Sequence, residues 1–168
     1  LNRLIEPTSG EILFNDRNIL NLTPKELIKF RQNNMSMVFQ KFALFPHKTV
    51  LQNVGYGLEV QGIKEGEIKK TAMEKIEAVG LSGFEHQYPS QLSGGMQQRV
   101  GLARALATNP GILLMDEAFS SLDPDLRRQF GYFVADQIKL RQIPALLVSH
   151  DVADRKFATD PVLQFPEK

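Results

Sequence analysis

The sequence predicts an α/β fold in which a mainly parallel sheet is covered by helices. Two apolar runs, ILLM at 112–115 and ALLV at 145–148, lack polar alternation and are typical of strands buried on both faces. Helical patterns run through LSGGMQQRVGLARALA and through the stretch that begins at Asp123 and Pro124. Helix and buried strand therefore alternate along the second half of the chain, which is the pattern of parallel strands joined by helices.

The composition is that of a single globular domain. Of the 168 residues, 42% are hydrophobic and 23% are charged, a balance that favours a packed core over disorder. The net charge of +1 gives no bulk electrostatic reason to expect binding to nucleic acid or to a membrane surface. Cysteine is absent, which excludes disulfides and thiolate metal sites. No apolar run approaches the ~18 residues of a membrane span, so we expect a soluble, cytoplasmic protein.

The first seventeen residues predict a helix tail and a short strand. The stretch LNRLIEPTSG is typical of a helix end that is broken at Pro7 and Gly10. EILFN at 11–15 is a short strand, and a turn is expected at Asp16 and Arg17. Because the first residue is leucine and not methionine, we expect the chain to be a piece of a longer protein.

A capped helix and a strand follow. Thr23 and Glu26 have the spacing of a capping box, and Pro24 suits the first helical position, so a helix should run to about Gln32. MSMVFQ at 35–40 is a strand that ends at Gln40.

The middle of the chain contains an amphipathic helix. After a further segment at 49–61, apolar residues recur on one helical stripe and end at Gly80, namely Ile68, Ala72, Ile76 and Val79. A last short strand is predicted at 162–165.

Polar residues follow three of the predicted strands. Gln40, the Asp116–Glu117 pair and His150 each come directly after an apolar run or close to its end. In parallel α/β sheets, ligands bind beyond the carboxyl ends of the strands. We therefore expect these side chains to share one rim, where a charged ligand binds.

The adjacent carboxylates suggest magnesium chemistry beside a nucleotide. A hard cation prefers carboxylate oxygen, often through water, which suits Asp116. Glu117 could orient and deprotonate an attacking water. The alternative is a strand that reaches the surface and caps a turn, and the pattern alone favours neither.

The stretch QLSGGMQQR is typical of an anion-binding helix start. Ser93 offers a hydroxyl, and Gly94 and Gly95 leave several backbone N–H groups accessible at the positive end of the helix dipole. An ordinary serine cap is the alternative. The order of the later motifs favours the anion site. After it come a strand that ends in acidic residues, the tripeptide SLD and a strand that ends near His150.

Three further residues have competing structural explanations. His150 alone would more often be structural, but its position at the same rim favours a phosphate or water contact. Gln40 follows the same logic with less force. Asp123 before Pro124 is a helix cap first and a functional carboxylate second.

The ordered motifs MVFQ, LSGGMQQR, LLMDE, SLD and SH resemble the ATP-binding subunits of ABC transporters, and the resemblance extends from Leu1 to His150. It implies a P-loop NTPase-like (RecA-like) core with an incomplete N-terminal part. Residues 1–40 and 91–168 would form the core and residues 41–90, approximately, a small helical subdomain. Two longer stretches, 37–63 and 88–124, most resemble the ATPase of glycine betaine/proline importers.

The resemblance also implies roles at the site. Asp116 would organise Mg²⁺, Glu117 would be the catalytic base, and His150 would be the switch histidine. Gln40 would be the Q-loop residue, sensing magnesium and the attacking water. Asp123 would be the D-loop carboxylate at a dimer interface. The signature residues would contact ATP held by the opposite subunit, namely Ser93, Gly94, Gly95, Met96 and Gln97.

The implied partners are a second ATPase subunit, membrane permease subunits and, indirectly, a substrate-binding protein, with no nucleic acid. The location would be peripheral, on the cytoplasmic side of the bacterial inner membrane. Residues 42–49 would lie near the permease, with Phe45 as a contact, although simple packing of the helical subdomain explains those aromatics equally well.

The family's P-loop, G-x-x-x-x-G-K-[ST], is expected just before Leu1 and is not among the 168 residues. We therefore expect this chain alone to bind ATP weakly and to hydrolyse almost none. A non-catalytic docking or dimerisation module is the alternative function, and an importer ATPase for another substrate, such as amino acids, is a second. A DNA-repair ATPase of the same class fits poorly because no heptad run is present.

Overall fold

The computed structural model describes residues 7–39, 43–120 and 122–158. Predictions that concern Gln40, Phe42, the helix tail before Pro7 and the strand at 162–165 lie outside these residues. In chain order the elements are β1 (Leu13–Phe14), β2 (Arg17–Asn18), a 3₁₀ turn (Ile19–Asn21), α1 (Pro24–Asn34), β3 (Met35–Phe39), α2 (Val50–Val60), α3 (Glu65–Ala78), a 3₁₀ turn (Pro89–Gln91), α4 (Gly94–Ala107), β4 (Ile112–Asp116), α5 (Pro124–Arg141), β5 (Ala145–Val148) and a 3₁₀ segment (Val152–Phe157).

The main sheet is parallel, in the order β3-β4-β5. Phe39 pairs in register with Asp116, and Asp116 with Val148, so the carboxyl ends of the three strands are level. The predicted α/β class with a parallel sheet is confirmed. The register also brings Asp116 and the residues that follow β4 and β5 to one edge.

The N-terminal strand prediction is partly wrong. β1 pairs antiparallel with β2 as a hairpin, and the turn residues are Asn15 and Asp16, with φ of 48° and 61°. Two successive left-handed residues are what a type I′ hairpin turn needs, and Asn and Asp tolerate that backbone better than most residues. Arg17 therefore lies in β2 and not in the turn.

The capping box before α1 is confirmed. The Thr23 hydroxyl accepts from the Glu26 N–H at 3.4 Å, and a Glu26 carboxylate oxygen accepts from the Thr23 N–H at 2.9 Å. Pro24 occupies the first helical position, and the helix ends at Asn34, two residues later than predicted.

Helix α4 has apolar side chains on two faces. One face packs with α2 and α3 in a cluster formed by Val50, Val54, Leu58, Ala72, Ile76, Val79, Leu81, Leu92, Val100, Ala103 and Ala107. The other face packs against the sheet and α5 in a cluster formed by Val38, Leu102, Ala105, Leu106, Leu113, Met115, Ala118, Phe119, Phe130, Val134 and Ile143. The same helix thus joins a helical layer to the sheet.

The prediction that β5 is buried is wrong for the part of the chain that the structure describes. Leu146 is 42% exposed and Val148 is 52% exposed. β4 is buried because it has a paired strand on each side, whereas β5 pairs with β4 alone among the described strands. The apolar pattern predicted the strand correctly but not its position in the sheet. Across the described residues, no helix combines the length and apolar character needed to cross a membrane.

Candidate functional site

Asp116 lies at the rim formed by the strand ends. It is the last residue of β4 and is exposed, level with Phe39 of β3 and Val148 of β5. A carboxylate at this point faces the region beyond the sheet and not the core. Gln40 directly follows Phe39 in the sequence but lies outside the described residues.

Glu117 and His150 are in direct contact. The His150 backbone N–H donates to Glu117 Oε1 at 2.9 Å, and His150 Nδ1 lies 2.8 Å from Glu117 Oε2. The second contact is an ion pair whenever the imidazole is protonated, because its distance permits one. The Glu117 side chain is 21% exposed and the His150 side chain 75% exposed, so the carboxylate lies beneath the imidazole. The structure thus brings two predicted site residues together.

The backbone around Glu117 is held in an unusual conformation. Its φ is 50°, in the left-handed region that a residue with a side chain rarely adopts. Its N–H donates to Val148 O at 2.9 Å, which continues the β4–β5 pairing by one residue, and its carbonyl accepts from the Ser120 hydroxyl at 2.9 Å. These bonds fix the direction in which the carboxylate leaves the strand. Left-handed non-glycine residues are concentrated at functional sites.

The start of α4 is capped by Ser93, as predicted. The Ser93 hydroxyl accepts from the Met96 N–H at 3.3 Å. The first N–H groups of a helix have no intrahelical partner, so those of Gly94 and Gly95 are candidates for anion contacts. Gly94 has nothing within 4 Å of a Cβ built on it, which leaves that approach open.

The side chains of Met96 and Gln97 are directed toward the protein. Met96 packs against the helical cluster, and the Gln97 amide donates to the carbonyls of Pro89 at 3.0 Å and Leu92 at 3.2 Å. Of the five predicted signature residues, Ser93, Gly94 and Gly95 therefore present the more accessible polar groups.

Asp123 is adjacent to this helix start. Its carboxylate accepts from the Leu126 N–H at 3.0 Å and caps α5, and a Cβ built on Gly95 would lie 2.7 Å from Leu126 Cδ2. The beginnings of α4 and α5 are therefore packed together. In the described residues, no hydrogen bond or ion pair links the signature residues with Asp116, Glu117 or His150, so the predicted residues form two groups.

One buried and one half-buried polar residue in the helices were missed by sequence reasoning. Gln98 is fully buried, and neither amide atom has a hydrogen-bond partner in the described structure. Arg127 in α5 is 15% exposed and paired with Asp151. Each lies on a buried helical stripe, Gln98 one turn before Leu102 and Arg127 one turn before Phe130. A polar residue on such a stripe is the signal that could have found them.

Phe45 is packed within its own domain. Its ring centroid lies 4.5 Å from that of Tyr56 and 5.8 Å from the Arg104 guanidinium carbon. Arg104 also donates to the carbonyl of Ala43 at 2.7 Å, and burial lowers the pKa of its guanidinium. The predicted role of Phe45 as a permease contact is not needed to explain these interactions.

The acidic residues suit a cation that takes most of its ligands from elsewhere. In the described ranges, no three His, Asp or Glu side chains converge as a metal site would require. Mg²⁺ is commonly held by one or two carboxylates together with water and substrate phosphates. An exposed strand-end carboxylate such as Asp116 fits that mode of binding.

The family model for ABC transporters matches residues 1–120. The chain is 61% identical over 152 residues to the glycine betaine transport ATP-binding protein OpuAA of Bacillus subtilis, covering 90% of this chain and 36% of that protein. It is 48% identical, over 90% of this chain and 38% of the relative, to the glycine betaine/proline betaine transport system ATP-binding protein ProV of Escherichia coli. The chain thus spans little more than a third of the length of these relatives.

A solved structure supports the same relationship. The dimeric post-hydrolysis state of the ATP-binding cassette MJ0796 bound to ADP and Pi superposes with a TM-score of 0.80 at 33% identity, covering 93% of this chain and 69% of that chain. The matched family region includes Ser93, Gly94 and Gly95 at the start of α4 and Asp116 and Glu117 at the end of β4. The chain belongs to the ABC transporter family.

Proposed function

We propose that this chain supplies the catalytic half-sites of an ATP-hydrolysing subunit that drives an ABC importer. The observation that carries the proposal is the contact between Glu117 and His150 at the ends of neighbouring parallel strands, next to the exposed Asp116. A carboxylate, an imidazole and a second carboxylate at one rim match what hydrolysis of a phosphoanhydride requires: a base, a group that stabilises charge, and a metal ligand.

In this proposal Glu117 accepts a proton from the attacking water. The backbone N–H of His150 binds Oε1 and so orients the carboxylate. The other oxygen, Oε2, is thereby held next to Nδ1 of the imidazole. His150 is mostly exposed and offers a ring N–H toward the developing charge on a γ-phosphate. Asp116 would hold Mg²⁺, which when bound supplies charge neutralisation on the phosphate oxygens. Gln40 is proposed as the Q-loop residue that senses this cation and the water.

The second group of residues would act on the partner copy's nucleotide. Ser93, Gly94 and Gly95 carry a hydroxyl and N–H groups that have no intrahelical partner at a helix start. No hydrogen bond or ion pair among the described residues links them to Glu117 of the same chain. We propose that two subunits pair so that each signature group meets ATP at the other rim, with Asp123 at the interface. Met96 and Gln97 support that helix start, since their side chains pack against or bond to their own domain.

The two apolar clusters suggest the division of the cassette. We propose residues 1–40 and 91–168 as the core and about 41–90 as the helical subdomain. The stretch around Phe45 would face the permease subunits, and a substrate-binding protein would act indirectly. The subunit would be peripheral to the cytoplasmic side of the inner membrane.

The proposed transported substrate is glycine betaine, proline betaine or a related compatible solute. Proteins named for glycine betaine transport are 61% and 54% identical to this chain, whereas one named for trimethylamine N-oxide is 46% and one named for Fe(3+) import is 42% identical. Growth under osmotic stress tests the substrate. External betaine should restore growth when the gene is intact and not when it is deleted, and equal rescue in both strains would refute this substrate.

ATP hydrolysis is tested by supplying the P-loop. The DNA upstream of Leu1 is read for an in-frame G-x-x-x-x-G-K-[ST], and ATP turnover is compared between the subunit that carries it and the 168-residue chain. We expect turnover from the first and almost none from the second, because the P-loop provides the amides and the lysine that hold the phosphates. Addition of ATP should also raise the melting temperature of the complete subunit. A P-loop-bearing dimer with no turnover and no ATP-dependent shift would favour the non-catalytic docking module.

A further inference from the structure

Arg127 is a cation on the buried side of α5. It lies one turn before Phe130 and two turns before Val134, which are both buried, and its own side chain is 15% exposed. A guanidinium in such a position is costly unless its donors are satisfied. Its contacts therefore show what the residue is doing there.

The Arg127 guanidinium contacts two separate segments. Nε donates to the carbonyl of Phe119 at 3.0 Å, in the turn that follows Glu117. Nη1 pairs with the carboxylate of Asp151, directly after His150. Nε also lies 4.0 Å from Oδ1 of Asp154, whose side chain is 3% exposed. One side chain thus joins the turn after β4 to the segment after β5.

The segment around His150 is tied to this network on both sides. The Ser149 hydroxyl donates to Asp154 Oδ2 at 2.7 Å and accepts from the Asp151 N–H at 3.1 Å. Asp151 Oδ1 accepts from the Ala153 N–H at 2.8 Å. The His150 side chain is 75% exposed, and within the described part of the chain the ion pair and hydrogen bond of this residue are both made with Glu117. Its position therefore depends on its two neighbours in the chain.

We propose that Arg127 is a positioning residue that holds Glu117 and His150 in contact by bracing the two segments that carry them. The proposal rests on the function proposed above for that pair. Among the described residues, Arg127 makes no hydrogen bond or ion pair with the side chain of Glu117 or His150, and acts through Phe119 and Asp151. The planar fork of arginine suits this task, because separate N–H groups can bond a carbonyl and a carboxylate at once, whereas lysine has a single point charge.

The adjacent Arg128 provides a matched control. Its guanidinium pairs with Asp125 at 3.2 Å, and both side chains are mostly exposed. Replacing Arg128 by glutamine changes the charge of α5 by the same amount as replacing Arg127, but leaves the two segments braced. An effect seen at Arg127 and not at Arg128 therefore cannot result from the change in the charge of α5.

Site-resolved amide hydrogen exchange of the 168-residue chain tests the bracing without ATP. In Arg127→Gln we expect the His150 amide, which is bonded to Glu117, to exchange about tenfold faster or more relative to the Val54 amide in α2. Arg127→Lys should give a smaller change, and Arg128→Gln none. If His150 and Val54 accelerate equally, Arg127 is merely structural, and if neither changes the bracing is absent; both results overturn the proposal. Should Arg127→Gln fail to fold, Asp151→Asn removes the same pair and is read in the same way.

Steady-state ATP turnover of the P-loop-bearing subunit tests the consequence. Arg127→Gln should lower kcat about tenfold or more with KM for ATP unchanged within about twofold, since misplaced catalytic groups affect the chemical step more than nucleotide binding. Unchanged kcat together with faster His150 exchange would overturn the catalytic importance of the brace. A wild-type subunit without turnover refutes the proposed function and leaves the exchange result to decide whether the brace exists.

Discussion

Gly131 in the middle of α5 lies directly against the ring of Phe157, so closely that a Cβ at position 131 would overlap three carbons of that ring. The ring also meets Phe119 and Tyr132 edge to face, at centroid distances of 5.7 and 5.3 Å. The 3₁₀ segment after His150 is thus held on α5 by an apolar contact as well as by the Arg127 network. Only a residue without a side chain permits this approach.

Gly131→Ala is therefore expected to destabilise the protein although alanine favours helix. Overpacking against a rigid ring costs about 1–3 kcal/mol, more than the roughly 1 kcal/mol that alanine gains in a helix. Urea unfolding measures the change. Gly66→Ala in α3 is the control, because a Cβ there meets nothing within 4 Å and should stabilise by up to about 1 kcal/mol. Equal stabilisation by both substitutions would contradict the packing argument.

Asn53 is expected to be required for the shape of the loop before α2. Its fully buried amide donates to the carbonyls of Phe45, Lys48 and Thr49 at 2.9–3.1 Å and accepts from the Phe45 N–H at 2.8 Å. Asn53→Ala should cost about 1–3 kcal/mol in unfolding free energy, because buried carbonyls lose their donor.

Asn53→Asp is the sharper version of this test. The side chain keeps its shape but replaces the donor by a carboxylate facing three carbonyls, so it should destabilise more than alanine does. Thermal unfolding of both variants gives the order. Gln61→Ala, which removes a surface bond to the Gln32 carbonyl, serves as the control and should change little. A stable Asn53→Asp variant would show that the donor is dispensable.

Acid should weaken the segment that follows His150. The Ala153 N–H, and after it the charge of Arg127, lowers the pKa of Asp151 below its ordinary value of 3.8. A carboxylate whose pKa is lower in the folded state than in the unfolded state stabilises the fold at any pH above its unfolded-state pKa. This stabilisation is lost as the pH falls through the folded-state pKa. Asp151→Asn should therefore be less stable than the parent at neutral pH, with the difference shrinking between about pH 5 and pH 2. Asp125→Asn is the surface control, and a difference that is independent of pH would exclude the carboxylate as its source.

Glu117→Gln should abolish most ATP turnover in the P-loop-bearing subunit while leaving nucleotide binding intact. Glutamine can still accept from the His150 N–H but cannot take a proton from water, and general-base catalysis contributes about 10²–10⁴-fold. Phosphate release measures the rate, and ATP-dependent thermal shift measures binding. Glu59→Gln on α2 removes an exposed carboxylate and should have no effect. Full turnover by Glu117→Gln would mean that another group acts as base.

Local signals in the sequence predicted helix starts well. Thr23, Ser93 and Asp123 cap their helices as expected, because a capping side chain bonds to N–H groups two or three residues away and needs no tertiary contact. The strand ends were also predictable, since parallel strands share a direction and Asp116 and His150 follow apolar runs. The pairing of Glu117 with His150 then follows from the adjacency of β4 and β5.

Features that depend on distant partners were not predictable in the same way. The exposure of Leu146 and Val148 depends on which strands flank β5, and a single strand's pattern does not contain that information. The partners of Arg127 come from segments 8 and 24 residues away in sequence. Sequence reasoning missed Arg127, and only the fold supplies the groups that it binds.

Helix α4 presents one apolar face to α2 and α3 and the other to the sheet and α5. Because both faces are packed, α4 cannot move relative to either layer without losing apolar contacts in one of the two interfaces. If the helical layer tilts, Ser93, Gly94 and Gly95 must move with α4. The change in backbone conformation then occurs in the segments before and after this helix. A movement of α2 would thus displace the start of α4 at Ser93.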